Sequence, residues 1–341
     1  MRFLFTRVAG LACVGLLAGA VLAVSASAAS AAVTLQGAGS TLVAPIEAEW
    51  AAAWDSSTGN TINYAAVGSG TGYKDVASGL VDFGASDAPL SVYSTPPCNC
   101  VQIPWALTAT GVSFHVNGLK RLHLTGAVLA KIYTGQITNW NNGQIKRLNR
   151  GVNLPNLPIT VFWRSDASGD TYAFTRYLSD VSGSFASRVG SSTTVSFPVG
   201  TGAKGNTGMA SAVQGTNGAI AYIAVSYIIN DSLPAAAVQN AGGRYEVPNL
   251  NAIEAAARAF GSVPSSNQVT IVDPPRFAKS AYPISTYTYA IVPRNAPQGG
   301  LIRSFIQYAL SSGQSFGPRL DFAKIPSQVA AAGRRTLGQI Q

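Results

Sequence analysis

The chain is short of the residues that build metal centres and acid–base active sites. Among its 341 residues there are three cysteines, two histidines and 14 acidic residues. A structural zinc site needs about four thiol or imidazole ligands at close spacing, and His115 and His123 sit in one segment without such a pattern. We therefore expect no metal and no cofactor.

Long apolar runs are also scarce, with one exception at the start of the chain. Arg2 and Arg7 flank an apolar run from Val8 to Val24, and the small residues at 25–32 offer several cleavage positions. This pattern is typical of a secretory signal peptide, and we expect cleavage near Ala32. Because no second run of spanning length follows, the mature protein is expected to be soluble and exported, either periplasmic or extracellular.

The three cysteines fall into two groups. Cys13 lies too early in the apolar run for a lipid anchor, with Gly10 where a lipobox has Leu. Cys98 and Cys100 remain after cleavage, and an even pair in an exported chain favours a disulfide. We expect a local Cys-x-Cys staple, and a free dithiol is the alternative.

Charge is sparse and mostly positive. Charged residues make up 11% of the chain and the formal net charge is +9, which falls to +7 once the two arginines of the acid-free leader are removed. The cations are scattered and form no basic stripe, so nucleic acid is not an expected partner. This moderate basicity suits an anionic ligand or simple solubility.

Apolar β-rich runs alternate with amphipathic stretches, which predicts an α/β fold with largely parallel sheets. The predicted strands are 61–67, 81–86, 159–163 and 219–224. The predicted helices are 45–55, 71–80, 127–133, 168–177, 252–260 and 300–311.

Two longer β-type runs, 105–116 and 284–292, are the natural crossing strands of a two-lobe protein whose chain leaves one lobe and later returns. We expect residues 33–110 and 288–341 to build lobe 1 together. Residues 111–287 then form lobe 2.

Three segments place Ser or Thr and Gly where a strand should end and a helix should begin. They are residues 37–41 (GAGST), 68–72 (GSGTG) and 164–171 (RSDASGDT). A helix N-terminus offers unpaired N–H groups and the positive end of the macrodipole, and hydroxyls such as that of Ser40 add donors. Three such ends that converge form a cage for an oxyanion, and phosphate is the expected ligand.

Five segments in order resemble the phosphate-specific substrate-binding subunits of ABC importers, the periplasmic phosphate-binding protein family. They are residues 37–41, 81–90 (VDFGASDAPL), 131–135 (KIYTG), 205–208 (GNTG) and 282–284 (YPI). The resemblance runs from about Leu35 to about Val329. It implies a two-lobe periplasmic-binding-protein fold of the Venus-flytrap type II, with two crossing strands. A protein of this family closes on one phosphate ion and delivers it to permease and ATPase subunits, and we expect a monomer.

The resemblance also implies a set of phosphate contacts. Thr41 and Leu42 match the positions after the first strand, where a hydroxyl and backbone amides contact the ligand. Ser69 matches the serine at the second helix end. Arg164 and Ser168-Gly169 match the guanidinium and the helix N-terminus that the second lobe contributes.

The chemistry of the residues agrees with these matches. Arg164 can donate a bidentate pair to a phosphate, and Asp166 is placed to hold its guanidinium in orientation. Asp87 matches the family carboxylate that accepts the ligand's own proton, and sulfate lacks that proton at neutral pH. The alternatives are a surface role for Arg164 and ordinary N-capping for the serines.

Asp170 departs from the family pattern, because many members have Thr at this position. Asp there resembles the actinobacterial branch, in which the carboxylate would accept a second proton of the ligand. In the alternative, Asp170 is an acid of the first helical turn, paired with Arg164 or stabilised by the macrodipole. Both interpretations stay open at this point.

Two other functions compete with transport. A phosphoryl hydrolase needs metals or a nucleophile with a base, and neither histidine lies near a Gly/Ser motif. Residues 200–205 (GTGAKG) superficially suggest a nucleotide loop but lack the Gly-Lys-Ser/Thr ending. A secreted phosphate scavenger without a transporter is the other alternative.

Overall fold

The structure of the chain is a computed structural model that describes Leu4 and residues 32–341. The predicted leader, with Cys13, otherwise lies outside the described residues. Val33–Gln341 form one folded unit. Among the described residues, no helix is long and apolar enough to cross a membrane.

Strands and helices alternate through most of this unit. Its first part contains β1 (Thr34–Gly39), α1 (Ala44–Thr58), β2 (Thr61–Ala66), α2 (Ser69–Ala77), β3 (Phe83–Ser86) and β4 (Cys100–His115). The middle contains β5 (His123–Leu124), α3 (Gly126–Tyr133), α4 (Gly143–Leu148), β6 (Thr160–Arg164), α5 (Gly169–Val181), α6 (Gly183–Arg188), β7 (Thr201–Ala203), α7 (Gly205–Gly215), β8 (Ala219–Ala224), α8 (Val225–Asn230), β9 (Ala237–Gln239), β10 (Tyr245–Glu246) and α9 (Leu250–Arg258). The last part contains β11 (Ser285–Pro293), α10 (Gly299–Ala309) and α11 (Ser327–Leu337).

Within residues 32–341, eight strands form one mixed sheet in the order β2-β1-β3-β11-β4-β8-β6-β7, and β10-β9-β5 form a small second sheet. The outer strands pair in parallel, β1 with β2 and β3, and β6 with β7 and β8. The central pairs β3–β11, β11–β4 and β4–β8 are antiparallel. The predicted parallel sheets are therefore found on both sides, while the strands that cross between the lobes run antiparallel.

Strand β4 passes from one lobe to the other by changing its partner. Its register with β11 runs from Pro293 opposite Cys100 to Ser285 opposite Ala109. From Thr110, opposite Ala224, it pairs with β8 instead. The two predicted crossing strands are thus neighbours, and we call the β2-β1-β3 side the first lobe and the β8-β6-β7 side the second.

The predicted elements are confirmed with small shifts of their ends. Strand β8 has the predicted bounds, whereas α1 extends beyond the predicted 45–55 to Ala44–Thr58. Gly59 stops α1 because it adopts φ 73° and caps the helix through a bond from its N–H to the Asp55 carbonyl. Such left-handed ends depend on one residue, so they are harder to predict than the apolar period of the helix.

Each lobe has an aromatic core beneath the cleft. In the first lobe, Trp105 packs against Trp50 and Phe305 with ring centroids 5.3 and 6.1 Å away. In the second, Phe174 stacks on Tyr222 at 4.6 Å. Tyr222 is fully buried, and its hydroxyl accepts a hydrogen bond from the Arg164 backbone N–H. The core of the second lobe therefore fixes the end of β6, where the candidate site begins.

Candidate functional site

The three Ser/Thr/Gly segments all follow strands and meet at one place. Segment 37–41 links β1 to α1, segment 68–72 links β2 to α2, and segment 164–171 links β6 to α5. The first two lie in the first lobe and the third in the second. Direct bonds join them, including that from the Gly70 N–H to the Ala167 carbonyl at 2.9 Å, so the cleft is closed in this structure.

Asp87 lies at the centre of the first lobe's contribution, directly after β3. The Ser40 hydroxyl is 2.7 Å from both of its carboxylate oxygens, and the Ser69 hydroxyl is 3.1 Å from Oδ2. Asp87 is 2% exposed. The two serines therefore orient this carboxylate inside the closed cleft.

Ser69 also reaches the opposite lobe. Its oxygen accepts a hydrogen bond from the Gly169 N–H at 3.1 Å, at the start of α5. It does not cap its own helix, because Gly68 occupies the N-cap of α2 and no side chain caps it. Ser168, in contrast, is the N-cap of α5 and accepts from the Asp170 N–H. Ser168 is therefore an ordinary helix cap, whereas Ser69 is not.

Arg164 is buried between two acids of its own lobe. Its Nε donates to Asp166 Oδ1 at 2.8 Å, and its Nη1 donates to Asp170 Oδ2 at 3.0 Å. Asp166 accepts a further bond from the Gly205 N–H at the start of α7. With 5% of its surface exposed, Arg164 is not a surface arginine. Asp166 therefore fixes the orientation of the guanidinium.

Asp170 has protein donors at both carboxylate oxygens. Thr110 donates to Oδ1 at 2.7 Å, and Asn206 donates to Oδ2 at 2.8 Å beside Arg164. The pairing of Asp170 with Arg164, one of the two interpretations of the sequence, is therefore present in the structure as one of several contacts of this carboxylate.

The surroundings of the three acids shift their pKa values in different directions. Burial and then the charge of Asp170 raise the pKa of Asp87 to about 7, against the hydroxyls of Ser40 and Ser69. Burial also raises the pKa of Asp170 above its usual range, although Arg164, Thr110 and Asn206 oppose it. Asp166 is different: burial is outweighed by the hydrogen bond and charge of Arg164, and its pKa is lowered. Asp87 and Asp170 together thus retain a proton up to about neutral pH.

The structure brings the predicted site residues together. Ser40, Ser69, Asp87, Arg164, Asp166, Ser168, Gly169 and Asp170 are linked by the bonds described above. Thr41 is 8% exposed and contacts Asn206, while Leu42 is fully buried and its N–H donates to Ser40 Oγ at 3.0 Å. The Leu42 amide is therefore already paired with a side chain of its own loop.

Three residues of the site were not predicted. Thr110 and Asn206 contact Asp170, and the Tyr227 hydroxyl donates to the Thr41 carbonyl at 3.1 Å. Asn206 lies in segment 205–208, which the resemblance had singled out without a role. Neither Thr110 nor Tyr227 lies in a motif that predicts a contact, because only the fold brings each of them to its partner.

Cys98 lies on the segment that connects β3 to β4, and Cys100 is the first residue of β4. The structure joins Cys98 to Cys100, with their Cα atoms 5.1 Å apart. Both pack against a small cluster of apolar residues that includes Tyr73 and Val76. Within the described residues there is also no group of three His, Cys, Asp or Glu side chains that could hold a metal ion.

The sequence matches a family model and several curated relatives. The model of the PBP superfamily domain matches residues 25–312. The phosphate-binding protein PstS of Xylella fastidiosa is 32% identical over 299 residues, covering 86% of this chain and 82% of the relative. That of Haemophilus influenzae is 32% identical and covers 87% and 90%. Phosphate-binding protein PstS 3 of Mycobacterium leprae is 34% identical and covers 83% and 80%.

Solved structures share the fold. A high-affinity periplasmic phosphate-binding protein (PfluDING) with bound phosphate has a TM-score of 0.69 at 20% identity, covering 89% of this chain and 93% of that one. The phosphate-binding protein of Stenotrophomonas maltophilia has a TM-score of 0.65 at 20% identity, covering 90% and 94%. At this identity the likeness supports the two-lobe α/β fold.

Proposed function

Since the chain belongs to the family of phosphate-binding proteins PstS, within the PBP superfamily, we propose that it captures inorganic phosphate and delivers it to an ABC importer. The observation that carries this proposal is the closed cleft, where three strand-to-helix segments from both lobes meet around Arg164 and Asp87. Such helix starts combine N–H donors with a positive dipole end, which favours an anion.

The donors of the site divide between the lobes. We propose that Thr41, Leu42 and Ser69 contact phosphate from the first lobe, beside Ser40. Arg164 and the N-terminus of α5 at Ser168-Gly169 contact it from the second lobe. Because both lobes are needed to surround the ion, binding favours the closed cleft and water is excluded.

The acids of the site set the form of phosphate that binds. Arg164 brings one positive charge, while Asp166, Asp87 and Asp170 bring up to three negative charges into the same buried region. A dianion would add to this excess. We propose that Asp87 accepts one P–OH group and that Asp170 favours a second proton, so the site prefers monoanionic phosphate or takes up a proton with the dianion.

The organisation of the whole protein follows from this role. We propose that 33–110 and 288–341 form lobe 1 and 111–287 form lobe 2, with the change of partner in β4 at the border. We further propose that the protein is exported as a monomer, that the permease and ATPase subunits of an importer are its partners, and that the Cys98–Cys100 bond is a local staple.

We propose no catalytic step. The hydroxyls of Ser40 and Ser69 are held by the Asp87 carboxylate, which we assign to the P–OH group of the ligand, and no histidine is among these site residues. An assay of phosphate-ester hydrolysis by the purified protein separates this proposal from a phosphoryl hydrolase, because measurable turnover would contradict it.

Calorimetry tests the proposed binding directly. Protein stripped of phosphate by refolding should bind one phosphate per chain with a Kd of about 1 µM or tighter, which corresponds to about 8 kcal/mol or more. Sulfate at the same concentration serves as the control and should release little heat. Folded, stripped protein that releases no heat with phosphate would refute the proposal.

A further inference from the structure

Asn206 is a fully buried amide whose polar atoms are all engaged. Its Nδ2 donates to Thr41 Oγ1 at 2.9 Å and to Asp170 Oδ2 at 2.8 Å, and its Oδ1 accepts from the Ala224 N–H at 2.8 Å. The Ala224 N–H fixes which end of the amide is oxygen, because a donor there requires an acceptor. Both N–H groups of Asn206 therefore point towards the cleft.

The two acceptors of Asn206 belong to opposite lobes. Thr41 follows β1 in the first lobe, whereas Asp170 lies in the first turn of α5 in the second lobe, to which Asn206 itself belongs through α7. The bond to Asp170 can persist when the lobes separate. The bond to Thr41 can form only when they are closed.

We propose that Asn206 is a positioning residue that couples closure of the cleft to the charge of Asp170 and to the orientation of the Thr41 hydroxyl; the proposal rests on the proposed phosphate function. Because the Thr41 oxygen accepts a bond from Asn206, its own O–H is directed elsewhere and is free to donate to the ligand. The second N–H stabilises the ionised form of Asp170.

Asp170 is faced by several other titratable groups. Arg164 on β6 pairs with it, Asp166 lies in the same loop, and Asp87 approaches from the first lobe. The hydroxyls of Tyr222 on β8 and Tyr227 on α8 are also close enough for its charge to raise their pKa values, although burial is the larger cause. Asn206 is thus one of three neutral or cationic donors, with Thr110 and Arg164, that bond to this carboxylate.

Loss of the Asn206 donor has a defined effect on pH dependence. It removes a bond that favours the ionised carboxylate, so the pKa of Asp170 rises further. The site then keeps its proton to a higher pH. Since an anion binds better to the protonated site, the decline of phosphate affinity with pH moves to a higher pH.

Tyr227→Phe is the matched control. The Tyr227 hydroxyl also bonds to Thr41 across the cleft, through the Thr41 carbonyl, but it makes no hydrogen bond to Asp170. Tyr227→Phe should therefore weaken closure without changing the donors of Asp170. A merely structural role for Asn206 would make the two variants behave alike.

The first test is phosphate calorimetry on wild type, Asn206→Ala and Tyr227→Phe between about pH 5.5 and 8.5. Both variants should bind about 3- to 10-fold more weakly at the acid end. In Asn206→Ala alone, the decline in affinity should start about one pH unit higher. An unchanged pH profile in Asn206→Ala, or an equal shift in Tyr227→Phe, would overturn the proposal.

A second measurement does not depend on phosphate. Small-angle X-ray scattering of the ligand-free proteins should give a larger radius of gyration for both variants, because each loses a bond that exists only in the closed cleft. An unchanged radius in both would refute the closure part. If wild type binds no phosphate in calorimetry, the proposed function fails while this comparison still decides whether Asn206 holds the lobes together.

If Asn206→Ala does not fold, Asn206→Asp provides a second variant for the same test. It is nearly isosteric and keeps the acceptor for the Ala224 N–H, but it places another carboxylate against Asp170. Phosphate affinity should fall more steeply with rising pH than in wild type. A slope equal to that of wild type would contradict the assigned role.

Discussion

At the scale of single residues, the site contains more acidic groups than basic ones. Arg164 is paired with two acids of its own lobe at 2.5 and 3.0 Å. A third acid, Asp87, stands on the other lobe. The proposed phosphate donors are therefore surrounded by carboxylates, and we predict that the protonation of those carboxylates decides which anion can bind.

We predict that Arg164→Ala weakens phosphate binding far more than Ser69→Ala. Loss of a buried charged partner costs about 2 to 5 kcal/mol, while a neutral hydroxyl bond is worth about 0.5 to 1.5 kcal/mol. The variant also leaves Asp166 and Asp170 without their counter-ion. Calorimetry at one pH compares the two, and equal losses would show that another group supplies the main positive charge.

Asp87→Asn should narrow the difference in affinity between phosphate and sulfate. The carboxylate accepts a P–OH and repels a fully ionised oxygen, whereas an amide can turn its NH2 group towards sulfate. Competition of each anion against the other measures the ratio for wild type and variant. Rejection of sulfate that persists unchanged in Asp87→Asn would overturn the role assigned to Asp87.

Asp170→Thr should flatten the decline of phosphate affinity with rising pH. Burial raises the pKa of Asp170 above its usual range, so the group keeps its proton to a higher pH than a free carboxyl does, and the loss of that proton adds repulsion towards phosphate. Threonine has no charge to lose and can donate to the dianion. Titrations from acid to alkaline pH test this, and parallel profiles would remove Asp170 from the ligand contacts.

At the scale of elements, the start of α5 can approach Asp87 of the other lobe closely because Gly169 has no side chain. A Cβ there would lie 2.5 Å from Asp87 Oδ2 across the cleft, so the two lobes could not approach as closely. The sequence predicted this junction from its Gly and Ser content. It did not predict that the glycine faces the carboxylate of the other lobe.

Gly169→Ala should therefore weaken phosphate binding, with an overpacking cost of about 1 to 3 kcal/mol in the closed state. Gly183→Ala is the matched control, because Gly183 is also the first residue of a helix, α6, and a Cβ there would meet nothing within 4 Å. The control should bind like wild type and be slightly more stable. Equal affinities for both variants would contradict a close approach of the lobes at Gly169.

At the scale of the whole molecule, one sheet runs through both lobes. The crossing strands β4 and β11 pair over nine positions, and β4 continues into the second lobe without a break. Backbone hydrogen bonds therefore connect the two aromatic cores. This continuity should make it difficult for one lobe to unfold while the other stays folded.

We predict a single thermal unfolding transition that phosphate moves upward. A ligand that binds the native state alone, at about 1,000 times its Kd, adds about 4 kcal/mol, which raises the midpoint by several degrees. Differential scanning calorimetry with phosphate and with sulfate provides the comparison. Two separate transitions, or equal shifts with both anions, would contradict the continuous sheet or the proposed selectivity.

The sequence by itself determined the elements, the strand-to-helix junctions and the chemical type of the main site residues. These follow from local properties, since apolar periodicity, helix starts and the choice of Arg or Asp act over a few neighbouring residues. Even the order of the segments that carry the family resemblance is a property of the chain alone.

The tertiary structure decided which groups bond to one another and how they titrate. Asn206 meets Thr41 across 165 positions, and Thr110 meets Asp170 across 60. The sequence left open whether Asp170 pairs with Arg164 and whether Ser69 is an ordinary cap, and the fold settled both contacts. Hydrogen bonds and pKa shifts depend on distances of a few ångströms and on burial, and those arise only when distant segments pack together.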